Sequence, residues 1–136
     1  MDTYRPTPGT PLSELDTPCL LVDLDAVEHN VRVVAGAYRD TTCKMRQHTK
    51  NIKSPLLARM QIEAGGTVRG VCTAKVSEAE VMVEGGVTDI LIANQVVTRD
   101  KIARLCALAK RGDMKVCIDN PRNVQDISEV AQAHEA

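Results

Sequence analysis

The stretch "CKMRQHTKNIKSP", residues 43–55, decides how the chain is read. It stands where the rhythm of the sequence asks for a buried strand entering a helix, yet it carries Lys44, Arg46, His48, Lys50 and Lys53. In an extended segment alternate residues share a face, so Arg46, His48 and Lys50 point one way while Met45, Gln47 and Thr49 point the other. On composition alone this segment reads as a solvated loop or an edge strand. The competing reading is a strand whose polar row lines a site.

The rhythm itself comes from the flanking sequence. "VRGVCTA" (68–74), "DILIAN" (89–94) and "MKVCID" (114–119) are short runs rich in branched residues, the pattern of strands buried on both faces of a parallel sheet. Each precedes a helical stretch, namely "SEAEVMVEG", "RDKIARLCALAKR" and "PRNVQDISEVAQAHE". Upstream, "CLLVDL" (19–24) is strand-like, and "DAVEHNVRVVAGAY" (25–38) sets Val27, Val31, Val34 and Ala35 on one helical face. With the charged stretch as the first strand, strands begin near residues 43, 68, 89 and 114. Repeated βα units predict an α/β fold, and the regular spacing suggests a (β/α)8 barrel. Such a barrel takes about 250 residues, so four units correspond to half of one or to an open α/β sheet.

Local punctuation agrees. Ser54–Pro55 and Asn120–Pro121 each provide a helix cap followed by proline at the first helical position, and Ser77 with Glu80 has the spacing of a capping box. The glycines of "EAGG" (63–66) and "EGG" (84–86) follow helices instead of opening them, which argues for helix ends over phosphate loops.

Composition sets the outer bounds. The chain has 136 residues, 43 % of them apolar, and a formal net charge of −1, with cations spread along it. That favours a folded domain and gives no sign of a nucleic-acid or anionic-membrane partner. Five cysteines, Cys19, Cys43, Cys72, Cys106 and Cys117, form no CxxC pair and read as reduced, small apolar residues in a cytoplasmic protein. No segment approaches the roughly 18 apolar residues of a membrane span or resembles a signal peptide. Residues 1–18, polar and rich in proline, read as a flexible leader, and 19–136 as the folded part.

At the C-terminal mouth of a barrel, where such folds carry their chemistry, a lysine desolvated among other cations becomes a better nucleophile. The sequence "DTPCLLVDLDAVEHNV", then "MRQHTKNIKSP", then "GVCTAKVSEAEVMVEGGVTDILIANQV" resembles the N-terminal part of the D-threonine aldolase and 3-hydroxy-D-aspartate aldolase family, which includes D-serine dehydratase-like enzymes. The likeness runs in order from about residue 16 to the end. It implies the alanine-racemase fold type, here the N-terminal half of a (β/α)8 barrel with about four βα units. It also implies pyridoxal 5'-phosphate as cofactor, with Lys50 as the lysine that forms its Schiff base and His48 beside the cofactor.

By the same resemblance the activity is a lyase reaction that cleaves D-3-hydroxy amino acids, D-threonine or 3-hydroxy-D-aspartate, to glycine and an aldehyde. A dehydratase or racemase of the same fold, or a non-catalytic fragment that binds cofactor or oligomerises, is the alternative. Two departures stand inside the motif: Gln47 where the family often has proline, and Ile52 where it usually has a second histidine. Lys53 matches the motif's second lysine and reads as a surface or phosphate-proximal charge. The family's divalent metal is held in a C-terminal β domain, which this chain lacks, so no metal ligand is nominated here. In that family "CLLVDL" would pair within the β domain, and exposed barrel edges predict a homo-oligomer.

Overall fold

The computed structural model describes residues 4–136. A short 3₁₀ turn at Leu12–Glu14 precedes five helices and four strands: α1 (Leu24–Arg39), β1 (Met45–His48), α2 (Pro55–Ala64), β2 (Thr67–Thr73), α3 (Val76–Glu84), β3 (Asp89–Ile92), α4 (Arg99–Ala109), β4 (Asp113–Val116) and α5 (Pro121–Ala133). The strands form one parallel sheet in the order β1-β2-β3-β4. Sequential order with right-handed crossovers brings the connecting helices to a single face.

That face is the core. Val71, Thr73, Ile90 and Ile92 are fully buried against Ala58 of α2, Ala79 and Met82 of α3, and Ile102 and Leu105 of α4. The intervening residues Cys72, Asp89, Leu91 and Lys115 are only half-buried. Of the two faces expected to be buried, the described residues bury the helix side fully and the other in part. Four strands cannot close on themselves, and among the described residues no second layer covers the other side.

Helix α1 presents the expected stripe, with Ala35 buried and Val27, Val31 and Val34 half-buried. Its N-cap is Asp23, whose carboxylate accepts from Ala26 N–H at 3.0 Å. Ser54 caps α2 and Asn120 caps α5 as the sequence implies, each followed by proline. The proposed Ser77–Glu80 box does not form. Helix α3 starts earlier, with Lys75 in the N-cap position, so Ser77 lies inside the first turn and Glu80 pairs with Arg104 of α4.

Two further expectations change. Residues 19–23 are not a strand: Leu20 is 98 % exposed and Leu24 already begins α1. An extended apolar segment becomes a strand only when another edge supplies partners for its N–H and C=O groups, and none lies beside it among the described residues. The cysteines are free as expected, but only Cys106 is buried; Cys72 is half-buried and Cys19, Cys43 and Cys117 are exposed. Loop and open-face positions, not side-chain polarity, set that exposure. Of the leader, residues 1–3 lie outside the described residues, and Tyr4 Oη donates to the Glu14 carbonyl at 3.4 Å.

Ile90, fully enclosed between the sheet and its helices, tests this one-sided core. Ile90→Ala should lower unfolding free energy by about 2–5 kcal/mol in urea titrations, against about 0.5 kcal/mol or less for Val81→Ala on the exposed side of α3. Equal effects would refute the assignment of the core face.

Candidate active site

The helix-free face of the sheet gathers the polar row that the sequence hid in β1. Pairing sets His48 beside Cys72, Cys72 beside Leu91, and Leu91 beside Lys115, one row running across all four strands. Arg46 and Asp89 belong to the row nearer the strand starts. Arg46 reaches over β2 to grip Asp89 with both nitrogens, Nη1 to Oδ1 at 2.8 Å and Nη2 to Oδ2 at 3.2 Å. Lys115 Nζ approaches the same carboxylate at 2.9 Å and Asp113 at 2.6 Å.

This bridge needs Gly70 beneath it. A Cβ there would overlap the Asp89 carbonyl oxygen and carboxyl carbon and sit 2.6 Å from Arg46 Nη1. The hydrogen bonds from Arg46 hold the Asp89 carboxyl below the usual carboxylate range; burial opposes them and Lys115 adds to them. Burial pushes the Cys72 thiol up, and Arg46 offsets this only in part. The raised thiol makes Cys72 a weaker candidate nucleophile than an unperturbed cysteine.

Lys50 and His48, the two residues nominated from sequence, meet at the C-terminal end of β1. His48 is the last strand residue, and Lys50 lies exposed in the turn that follows. The Lys50 backbone N–H donates to His48 Nδ1 at 3.3 Å. The turn is anchored from below: Thr49, 1 % exposed, directs both its N–H and its hydroxyl to the Cys72 carbonyl, at 2.9 and 3.0 Å. Lys53 N–H then closes the turn on the Thr49 carbonyl at 2.8 Å.

The departures from the motif have structural destinations. Ile52 packs against the hydrophobic core, so an apolar side chain seats the turn where the family usually has an imidazole. Gln47 faces the helices, and its Oε1 is buried without a hydrogen-bond partner among the described residues. Lys53 extends along the surface to Glu78 of α3. Sequence reading did not nominate Thr49, Gly70, Glu78 or Asp89. The glycine inside a strand was the available signal, because it marks close approach of other groups.

Among the described residues, no group of three or more His, Cys, Asp or Glu side chains is arranged to hold a metal ion. His134 is exposed at the end of α5.

Because Asp89 titrates lower in the folded chain than unfolded, its contribution to stability is fully present above the ordinary carboxylate range near pH 4 and is lost as pH falls through its depressed value. Asp89→Asn should flatten that acid limb of stability, measured as Tm against pH. Gly70→Ala should destabilise the chain at neutral pH, and a neutral effect there would refute the bridge.

Comparison with known proteins bears on the family and the fold. The family model described as "Alanine racemase, N-terminal domain" matches residues 22–136. The chain is 43 % identical over 128 residues to the 3-hydroxy-D-aspartate aldolase of Paracoccus denitrificans, covering 93 % of this chain and 33 % of that protein. It is 39 % identical over 122 residues to a D-threonine aldolase from an Arthrobacter species, covering 90 % and 32 %. The crystal structure of D-threonine aldolase from Filomicrobium marinum superposes with a TM-score of 0.85 at 45 % identity, over 92 % of this chain and 33 % of that one. The chain thus spans about a third of the length of these relatives. Its four βα units correspond to the N-terminal half of a barrel, and the chain belongs to the alanine racemase N-terminal domain family.

Proposed function

We propose that these residues form the N-terminal βα part of a pyridoxal 5'-phosphate-dependent lyase that cleaves D-3-hydroxy amino acids, such as D-threonine or 3-hydroxy-D-aspartate, to glycine and an aldehyde. Lys50 is the residue that holds the cofactor. The observation that carries this reading is the position of Lys50: an exposed primary amine just beyond the C-terminal end of β1, beside His48, at the edge of the face that no helix covers. The aldolase names of relatives at 39–43 % identity support it.

The residues present fit the aldehyde end of the cofactor, since Lys50 supplies an accessible amine and the His48 ring, held through Nδ1 by the Lys50 N–H, lies beside it. Pyridoxal phosphate, when bound, supplies an electron sink for the pair released as a Cα–Cβ bond breaks. Lys50 binds it, His48 orients it, and the Arg46–Asp89–Lys115 group fixes the strands below. In this reading residues 19–136 are a partial barrel following a leader at 1–18. No metal ligand is assigned among the described residues.

The reading includes a homo-oligomer. The reading also includes a cytoplasmic location; no helix among the described residues is long and apolar enough to cross a membrane.

The test is to incubate the chain with pyridoxal phosphate, reduce with borohydride and locate adducts by mass spectrometry. One stoichiometric adduct on Lys50, absent in Lys50→Ala, is the expected outcome. Low-yield adducts scattered over surface lysines would sink the assignment.

A further inference from the structure

The turn bearing Lys50 lies outside any helix or strand, yet it closes into a hydrogen-bonded circuit with the neighbouring βα unit. Thr49 hangs from the Cys72 carbonyl, and Lys53 N–H returns to the Thr49 carbonyl. Lys53 adopts φ 47°, a left-handed conformation that side chains rarely take. Its Nζ meets Glu78 Oε1 at 3.2 Å, while Glu78 Oε2 accepts from Ala74 N–H at 2.8 Å. Ala74 directly follows β2 and lies two residues beyond Cys72, so the circuit is complete.

The two partners are unequal. The Lys53 side chain is 68 % exposed, whereas that of Glu78 is 15 % exposed, so Glu78 is the fixed post and Lys53 the arm drawn to it. Burial opposes ionisation of Glu78, but the hydrogen bonds from Ala74 and Lys53 outweigh it and leave the carboxyl below its ordinary range. It is charged at neutral pH.

We propose that Glu78 is a positioning residue: by holding Lys53 in its left-handed conformation it sets the direction in which Lys50 leaves the turn. The inference rests on Lys50 being the cofactor lysine. An exposed ion pair adds little to global stability, so the effect belongs in the local order of residues 49–53. The Glu80–Arg104 pair, which ties the same helix to α4 without touching the turn, is the internal control.

The experiment uses amide hydrogen exchange of the whole chain, together with the rate of borohydride-trapped Lys50 adduct formation from pyridoxal phosphate. It compares Glu78→Ala, Lys53→Met, the double variant and Glu80→Ala. Glu78→Ala and Lys53→Met should each speed exchange of the 49–53 segment about tenfold and slow Lys50 adduct formation about threefold to tenfold. The double variant should be no worse than either single one, because the pair acts as a unit. Glu78→Gln, which keeps an acceptor for Ala74 N–H and the side-chain volume, should restore part of the rate, and Glu80→Ala should leave both readouts unchanged. Unaltered adduct rates in the Glu78 and Lys53 variants, or equal effects of Glu80→Ala, would overturn this inference alone. No Lys50 adduct in the unmodified chain would remove the assignment of Lys50 and this inference with it.

Discussion

One carboxylate, Asp89, ties the open face of the sheet together. It sits at the start of β3, receives Arg46 from β1 across Gly70 of β2, and receives Lys115 from β4. All four strands therefore meet in one contact set. Its partners are half-buried, so the desolvation that offsets the attraction between charges is partial. Removing one partner leaves the others unmatched on that face, and enlarging Gly70 drives them apart. The charge in the first strand, out of place in a core, has its counter-charge on the third strand.

This arrangement separates two tasks. The helix-covered face supplies the apolar burial that holds the chain folded, through Val71, Ile90, Ile92 and their helical neighbours. The other face carries ions near the strand starts and a histidine and lysine at the end of β1. The turn after β1 mediates between the two. Ile52 reaches back to the core, Thr49 hangs from β2, and Lys50 is left exposed at the rim. In the proposed reading, a lysine on a short, pinned turn would present its amine in a defined direction.

Family membership and fold concern the chain as a whole. The family match concerns the order of residues along the chain, and the superposition concerns the path of the backbone. Neither depends on the side-chain contacts around Lys50. Ile52 packs on the core, while Gln47 faces the helix side with its Oε1 buried and without a hydrogen-bond partner among the described residues, so both departures lie away from the open face.

The α/β class, the starting points of the four strands, the stripe on α1 and the caps at Ser54 and Asn120 were legible in the sequence. Each depends on residues within a few positions of one another, where periodicity and backbone propensity act. The motif also singled out Lys50 and His48, because the signature is contiguous. Tertiary structure alone decided which face of the strands the helices bury, that "CLLVDL" has no strand partner among the described residues, and that Glu78 and not the Ser77–Glu80 pair serves the start of α3. It also joined Arg46 to Asp89 and Lys53 to Glu78, contacts that span 43 and 25 residues. Such contacts depend on strand register and helix placement, which local pattern leaves open: alternation says which residues share a face, and only the packing of helices says which face is left uncovered.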